Sequence, residues 1–208
     1  RGLGDVDKRQ GANHALLMLD LNGFKRINDV FGHGTGDEVL MQVAGRISKA
    51  VRDLDVVARL GGDEFAVLAT HVSGVQAAMG LALRIIDELQ VPVRTASGEH
   101  PVGTAIGIAL VPQDGNESAE LMRKADIALY AAKAQGLSAS RFFDAAMDAQ
   151  VRARHSVERR LRAALADGSI VPHYLPVADT KTGQIGGFEA RACCLAAEMG
   201  RCGPAEVL

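Results

Sequence analysis

The chain has 208 residues, of which 48% are hydrophobic, 23% are charged and only 4% are aromatic, with no tryptophan. This composition is typical of a folded protein with an aliphatic core. The formal net charge of −2 argues against a nucleic-acid-binding surface, which would carry a basic excess. No apolar run approaches the ~20 residues of a membrane-spanning helix, and the start has no signal-peptide pattern, so we expect no membrane segment here.

The first third of the chain predicts a buried strand followed by two helices. Residues 14–21 (HALLMLDL) form a short apolar run that is typical of a buried strand ending at Asp20. A helical pattern follows over residues 22–31, and the glycines within residues 32–36 interrupt it. We expect Asp37 to open a longer amphipathic helix.

The string RLGGDEF at residues 59–65 predicts a β-hairpin. Apolar runs stand on both sides of its paired glycines, which tolerate the positive φ of a tight turn. Two adjacent carboxylates, Asp63 and Glu64, follow the turn at the start of the second strand. In an isolated turn, two such carboxylates would be interpreted as ordinary solvent-exposed residues that favour solubility. However, neighbouring strand residues face opposite sides of a sheet, so we expect one of them to face a cation.

The remaining patterns complete one domain and begin another segment. We expect a helix capped by Ser73, a strand after Pro92 that pairs with a strand at residues 102–111, a helix at 117–135 that ends at Gly136, a strand at 141–143, a charged connector helix at 144–168, and two strands at 170–177 and 184–189. The order predicts an α+β domain over residues 1–143, with a central mixed sheet flanked by helices. Residues 169–208 are too few to bury a core of their own.

Polar residues beside these elements suggest a metal and phosphate site. If the strand ending at Asp20 lies beside the hairpin, its carboxylate and that of Asp63 converge, and such a pair suits Mg²⁺. Lys25 and Lys133 could then bind substrate phosphates, although Lys133 alone is also typical of a cation near a helix C-terminus.

A second pair of polar residues flanks the glycine-rich break. Asn28 offers both a donor and an acceptor, and the Asp37 carboxylate accepts from N–H groups, so together they could bind the edge of a guanine. Each of them alone is equally typical of a helix cap.

Three strings, DLNGFKRINDVFGHGTGDEVL, RLGGDEF and RKADIALYAAKAQG, resemble the GGDEF family of diguanylate cyclases in order and spacing. The match covers about residues 14–143. The resemblance implies a nucleotidyl-cyclase-like fold and the condensation of two GTP molecules into cyclic di-GMP with release of pyrophosphate.

The resemblance also implies roles for individual residues. Asp20 and Asp63, with the Leu21 carbonyl, would hold two Mg²⁺ or Mn²⁺ ions, and Glu64 would help to deprotonate the ribose 3′-hydroxyl or complete the metal site. Asn28 and Asp37 would bind guanine, while Lys25 and Lys133 would contact the triphosphate. Each such domain holds one GTP, so catalysis would need a homodimer.

A product-inhibition site is implied by Arg52-Asp53-Leu54-Asp55, an RxxD placed ahead of the GGDEF turn. Arg52 offers a planar donor fork for phosphate or guanine, and Asp55 accepts from guanine N–H groups, so the two would clamp cyclic di-GMP. RxxD by itself is a short pattern that also occurs at solvated helix ends.

The chain departs from the family at two points within the domain. Asn22 stands where Asp is common, a change that we expect to be tolerated. Gly136-Leu137-Ser138 replaces the usual Gly-Arg-Asn, and the absent arginine removes a triphosphate contact worth on the order of 1–3 kcal/mol.

The C-terminal part, from residue 161 to residue 189, resembles the beginning of an EAL-type cyclic di-GMP phosphodiesterase domain. Tyr174-Leu175-Pro176 and Glu189-Ala190-Arg191 stand where that family has Tyr-Gln-Pro and Glu-Ala-Leu. We expect a degenerate EAL-like segment without phosphodiesterase chemistry of its own.

Two further expectations concern the cellular compartment and the start of the chain. The odd number of cysteines, Cys193, Cys194 and Cys202, is not a disulfide framework and fits a reducing, cytoplasmic compartment. The chain starts at Arg1 without a recognisable beginning, so we expect it to be a piece of a longer signalling protein.

Three hypotheses for the function remain open at this point. The first is a diguanylate cyclase with product inhibition, which the intact Asp20, Asp63 and Glu64 favour. The second is a catalytically weak or inactive module that binds GTP or cyclic di-GMP and regulates an attached EAL-like domain or partner, which Leu137 and the altered EAL residues favour. The third is a dimerising scaffold.

Overall fold

A computed structural model describes residues 13–134 and 138–194 of the chain. Within these residues the elements, in chain order, are β1 (His14–Asn22), α1 (Phe24–Ala50), β2 (Val56–Gly61), β3 (Glu64–Ala69), α2 (Val75–Gln90), β4 (Val93–Thr95), β5 (Gly98–His100), β6 (Gly103–Val111), α3 (Ser118–Lys133), β7 (Ala139–Phe142), α4 (Ala145–Ala166), β8 (Ile170–Ala178) and β9 (Ile185–Cys194). The chain divides into two compact units, Arg1–Asp148 and Ala149–Leu208.

The first unit is built on a five-stranded sheet with the order β2-β3-β1-β6-β7. Neighbouring strands are antiparallel except for β6 and β7, which are parallel. The predicted α+β class with a central mixed sheet is therefore confirmed. β1 lies at the centre because its apolar residues are buried on both faces of the sheet.

The two faces of the sheet carry different helices, and the alternation along β1 decides which residue faces which helix. The odd-numbered residues of β1 from Ala15 to Leu21 pack in a core with α1 and α2. The even-numbered Leu16 and Met18 pack in a second core with α3. Asp20 continues the even series, so its side chain belongs to the α3 face.

The glycine-rich break in α1 is confirmed, but it is shorter than the sequence predicts. Only Gly32 leaves the helical conformation, with φ 81° and ψ 164°, and the helix resumes directly after it. The prediction that Asp37 opens the second helical segment is therefore wrong. Residues 33–36 still form helical turns because a single residue with positive φ, accessible to glycine at little cost, is enough to make the kink.

Three further predictions need correction. Asp63 does not begin a strand, because it occupies the two-residue turn between Gly61 and Glu64. The strand after Pro92 pairs with β5 in a small hairpin and not with β6, whose neighbours are β1 and β7. Ser73 does not cap α2, whose N-cap is Gly74 and has no side-chain hydrogen bond.

The second unit contains most of α4 and the two-stranded sheet of β8 and β9. The Asp179 carboxylate accepts hydrogen bonds from the backbone N–H groups of Lys181 and Thr182, both at 2.8 Å, and these bonds lower the pKa of Asp179. On β9, a hydrogen bond from the Arg191 guanidinium lowers the pKa of Glu189. Both carboxylates are thus held by local contacts within the hairpin.

Two expectations fall on residues that the structure does not describe: the helix end predicted at Gly136, and Cys202. Cys193 is a free thiol on β9. None of the helices in the described part of the chain is both long enough and apolar enough to cross a membrane.

Candidate active site

The end of β1 brings a carboxylate and an ammonium group together. Lys133 Nζ donates a hydrogen bond to Asp20 Oδ2 at 2.6 Å. Lys133 is in the last turn of α3, and Asp20 faces α3 because of the alternation along β1. The Asp20 side chain is 14% exposed, so a cation beside it offsets the cost of removing its charge from water.

Glu64 lies directly across from Asp20. The two residues are partners in the antiparallel register of β1 and β3, so their side chains share one face of the sheet. Ala66, two residues further along β3, belongs to the same core as Leu16 and Met18, which confirms the face. Like charges directly opposite each other destabilise a sheet. The Lys133 ammonium group, bonded to Asp20, offsets this repulsion in part, and a bound cation would offset it further.

The hairpin turn is fastened over the same end of β1. The Leu21 backbone N–H donates to the Asp63 carbonyl oxygen at 3.2 Å, and Arg59 Nε donates to the Gly62 carbonyl oxygen at 3.0 Å. Gly62 has φ 52°, a left-handed conformation that suits glycine. Asp63 is consequently held beside Leu21, one residue beyond Asp20.

The start of α1 is arranged for an anion. The helix follows β1 through Gly23, which has φ 84°, and its first turn contains the exposed Lys25 and Arg26 but no acidic residue. Cations in the first turn of a helix are unfavourable for the helix dipole, and free backbone N–H groups there favour an anion. A bound phosphate would offset both effects.

Asn28, one of the two residues predicted to bind guanine, lies against the second helical segment, across the kink from its own. A Cβ atom placed on Gly36 would collide with Asn28 Oδ1 and would lie 3.0 Å from Asn28 Cγ and 3.3 Å from Phe24 Cζ. The Asn28 side chain therefore packs against Gly36, the residue directly before Asp37. No hydrogen bond or ion pair between described residues joins Asn28 or Asp37 to the carboxylates at the end of β1.

The oxygen atoms at the end of β1 fit a magnesium ion. In the described part of the chain, His, Cys, Asp and Glu side chains form no group of three or more that could hold a metal by itself. Mg²⁺ is commonly held by one or two carboxylates, with substrate phosphates and water completing its shell. The opposed carboxylates of Asp20 and Glu64, which share one face of the sheet, match that chemistry.

The RxxD segment lies at the other end of β2 from the hairpin turn. β2 has six residues, about 20 Å at the usual rise per residue. The Asp55 carboxylate accepts from the backbone N–H groups of Arg52 and Thr70, both at 2.9 Å, so it holds the loop in place.

A cavity of about 260 Å³ opens beside this segment and is lined by Arg52, Asp55 and Arg84, among others. Arg84 on α2 donates from Nε to the Ala50 carbonyl oxygen at 2.6 Å. The sequence did not indicate Arg84, because this residue is 32 positions from Arg52 and is not part of a recognisable motif. Only the packing of α2 beside α1 brings it near.

Leu137, at the position where the family resemblance implies an arginine, lies outside the described residues together with Gly136. The structure therefore adds nothing to the prediction of a lost triphosphate contact.

The chain matches a known protein family and several curated relatives. The family model described as "Diguanylate cyclase, GGDEF domain" matches residues 2–139. An uncharacterized signaling protein of Caulobacter vibrioides is 41% identical over 188 residues, which is 89% of this chain and 23% of that protein. MucR of Pseudomonas aeruginosa, named as a bifunctional diguanylate cyclase/cyclic di-GMP phosphodiesterase, is 40% identical over 182 residues, which is 88% of this chain and 26% of that protein. The chain thus spans about a quarter of the length of these relatives.

Solved structures resemble the chain in the same region. The crystal structure of the GGDEF domain of TpbB (YfiN) from Pseudomonas aeruginosa is 41% identical, with a TM-score of 0.62, and the match covers 64% of this chain and 83% of that one. The GGDEF domain of DgcB from Caulobacter crescentus, solved in complex with c-di-GMP, is 29% identical, with a TM-score of 0.57, and the match covers 64% of this chain and 78% of that one.

Proposed function

The chain belongs to the GGDEF domain family of diguanylate cyclases, and on that premise we propose that it condenses two GTP molecules into cyclic di-GMP and releases two pyrophosphates. The observation that supports this best is the pair of opposed carboxylates, Asp20 and Glu64, with Lys133 bonded to the first of them. This end of the sheet combines negative carboxylates, which can bind a metal ion, with a positive lysine, which can bind a polyphosphate.

Asp20, Asp63 and the Leu21 carbonyl would hold two Mg²⁺ or Mn²⁺ ions. When bound, such ions polarise the α-phosphate and lower the pKa of a ribose hydroxyl. The backbone hydrogen bond between Leu21 and Asp63 supports this assignment, because it keeps the hairpin turn beside the end of β1. Glu64 would accept the proton from the 3′-hydroxyl, or would complete the metal site.

Lys25 and Lys133 would bind the triphosphate, with the N-terminal N–H groups of α1 adding further donors. Asn28 and Asp37 would bind guanine. The packing of Asn28 against Gly36, the residue directly before Asp37, supports this joint assignment. One domain binds one GTP, so two copies must face each other before each 3′-hydroxyl can reach the partner's α-phosphate; the active species would be a homodimer.

Product inhibition would use the cavity beside the RxxD segment. Its volume of about 260 Å³ is below the ~300–1,000 Å³ of sites that enclose a drug-sized ligand. It therefore suits one guanine with its phosphate rather than a whole cyclic dinucleotide. Arg52 would bind through its donor fork, Asp55 would accept from guanine N–H groups, and Arg84 would add a second cation. The complex of DgcB with c-di-GMP supports the ligand class.

We also propose that the C-terminal residues begin an EAL-like domain of a longer cytoplasmic protein. Alignments of 188 and 182 residues exceed the matched family range 2–139, so similarity to those relatives continues into α4 and the β8–β9 sheet. The name of MucR, which combines a cyclase with a phosphodiesterase, supports this arrangement.

The main alternative is a module that binds GTP or cyclic di-GMP with little or no turnover. Leu137, in place of the usual arginine, favours it because one triphosphate contact would be missing. In that case the described charges at the end of β1 would serve binding alone.

One experiment separates the two functions. The 208-residue protein is incubated with GTP and Mg²⁺, and pyrophosphate and cyclic di-GMP are followed beside an Asp63→Ala control. We expect both products from the parent and at least a ~100-fold loss in the control, since catalytic groups of this kind contribute about 10²–10⁴-fold. Absence of product from dimeric parent protein that still binds GTP would leave the binding module.

A further inference from the structure

The small hairpin of β4 and β5 is fastened along α1, close to the kink. Gln42 Nε2 donates to the Arg94 carbonyl oxygen at 2.5 Å, and the Ala96 backbone N–H donates to Glu38 Oε2 at 3.4 Å. Arg46 donates to the Pro92 carbonyl oxygen at 2.9 Å. The hairpin thus contacts α1 at several positions along the helix. It forms a sheet separate from the main one, and Val93 of β4 is buried in the core that α1 and α2 share with β1.

His100, at the end of β5, is the buried centre of these contacts. Its side chain is only 4% exposed, and its Nε2 lies 2.9 Å from Thr95 Oγ1 and 3.0 Å from Ser97 Oγ. The ring also packs edge-on against Phe31, with 4.7 Å between ring centroids. A buried imidazole with polar partners at this spacing fixes the hairpin loop.

A chain of polar contacts links His100 to the kink. Thr35 Oγ1 donates to the Phe31 carbonyl oxygen at 3.1 Å, so its single proton is used there and it can only accept from Ser97 Oγ, which lies 3.4 Å away. Ser97 Oγ also lies 3.0 Å from His100 Nε2 and 2.9 Å from Thr95 Oγ1, so these side chains form one polar cluster. Chains of this kind strengthen each bond in turn.

The polar contacts of Ser97 and the ring contact of His100 reach residues on both sides of Gly32. Phe31 stands directly before the kink, and Thr35 stands one turn after it. The two proposed guanine-binding residues stand on the same two sides, Asn28 three residues before Phe31 and Asp37 two residues after Thr35. The distance between them depends on the angle of the kink.

We infer that His100 is a positioning residue for nucleobase binding: through Ser97, Thr35 and Phe31 it sets the kink at Gly32 and thereby the spacing of Asn28 and Asp37. His100 touches neither the base nor the reacting atoms. The inference rests on the proposed use of Asn28 and Asp37 and adds the element that holds them in register.

The test uses His100→Gln, which keeps a donor near the same place, beside His100→Ala and Thr35→Val. The measured quantities are kcat and KM with GTP and Mg²⁺, the affinity for a non-hydrolysable GTP analogue, and the ratio of GTP to ITP affinity. ITP lacks the 2-amino group that a carboxylate such as Asp37 would accept from. We expect KM to rise roughly tenfold in His100→Ala and Thr35→Val, the effect of about one lost hydrogen bond, with kcat within about twofold.

The GTP-to-ITP preference should fall in the same two variants, which loss of folded protein alone would not cause. Thr35→Ser should keep the parental KM and the parental GTP-to-ITP ratio because it keeps the hydroxyl. His100→Gln should have values of both between those of the parent and those of His100→Ala. Glu99→Gln is the matched control: Glu99 is exposed on the same hairpin and pairs with Arg94, not with α1. It should behave as the parent.

Each outcome has a distinct meaning. If the parent binds and discriminates guanine nucleotides while Thr35→Val keeps the parental KM and GTP-to-ITP ratio, the positioning role is refuted and the proposed function stands. If the parent binds neither GTP nor ITP, the proposed function and the positioning role of His100 are both refuted. Thr35 is only half-buried, so its variants should stay folded even where His100→Ala unfolds.

Discussion

Lys133 Nζ lies 2.6 Å from Asp20 Oδ2, so the same ammonium group that would bind a triphosphate is bonded to a carboxylate that would bind the metal. It cannot serve both at full strength. Arrival of a metal at Asp20 would compete with Lys133, and arrival of phosphates would draw Lys133 away. If Asp20 binds the metal and Lys133 binds the triphosphate, as proposed, the pair would couple metal binding to nucleotide binding at the end of β1.

Replacing Lys133 by methionine should change the two affinities in opposite directions. Without nucleotide, Mn²⁺ should bind roughly two- to fivefold more tightly, as a partly exposed ion pair worth up to about 1 kcal/mol no longer competes. GTP should bind at least ~10-fold more weakly, because a charge-assisted hydrogen bond is lost. Electron paramagnetic resonance of free Mn²⁺ and calorimetry with a GTP analogue measure the two effects. Lys181→Met, in the exposed β8–β9 turn, is the control, and unchanged Mn²⁺ affinity in Lys133→Met would refute the coupling.

Gly36→Ala should weaken guanine binding, whereas Gly34→Ala should not. A Cβ on Gly36 would displace the Asn28 side chain, while a Cβ on Gly34 meets nothing within 4 Å. Both substitutions favour the helix itself, so a loss of binding in Gly36→Ala would come from Asn28. We expect KM for GTP to rise about tenfold in Gly36→Ala alone. Equal KM values in the two variants would contradict the assignment of Asn28.

Product inhibition should depend on both arginines of the cavity. In Arg52→Ala and Arg84→Ala, the cyclic di-GMP concentration that halves the initial rate should rise at least ~10-fold, because each loses a charged hydrogen bond. The uninhibited rate should stay near the parental value, since β2 separates this cavity from the end of β1. Asp53→Asn, an exposed neighbour within RxxD, serves as the comparison. Inhibition of Arg52→Ala at the parental concentration would remove Arg52 from the site.

Gly107→Ala should destabilise the domain, and Gly45→Ala should stabilise it. A Cβ on Gly107 would collide with the Ala125 carbonyl oxygen and the Leu129 backbone, where β6 and α3 approach closely. Overpacking of this kind costs typically 1–3 kcal/mol or more. Gly45 is exposed on α1 with open space around it, and alanine there should add roughly 0.5–1 kcal/mol. Urea unfolding, monitored by circular dichroism, measures the free energy of unfolding of both variants. An unchanged free energy in Gly107→Ala would mean that α3 can move away from β6 to admit the methyl group.

The sequence predicted the sheet and the end of β1 because those features depend on short patterns. The apolar run of β1 and the paired glycines of the hairpin turn are local, and the carboxylates of Asp20 and Asp63 already suggested a cation at the end of that run. The partner, Lys133, could be named as a phosphate ligand from its motif, but its bond to Asp20 spans 113 positions and needed the fold.

The hairpin of β4 and β5 shows where that reasoning fails. Each strand has only three residues, too few to show a period, and the Ser97–Pro101 cluster has the composition of a loop. The sequence therefore predicted pairing of the first strand with β6. His100 remained unnoticed because its partner Phe31 belongs to another motif, and only the folded chain brings the two rings together.

The alternation along β1 has a consequence for reading related sequences. Inserting a single residue between Leu19 and Asp20 would turn Asp20 to the opposite face of the sheet, away from Lys133 and Glu64, while each residue of RLGGDEF stayed in place. A protein with that insertion would still carry every signature string of the family, yet the aspartate proposed as its metal ligand would point into the aliphatic core beneath α1. For this fold, the spacing inside β1 is as diagnostic of a working site as the letters of the motif that names the family.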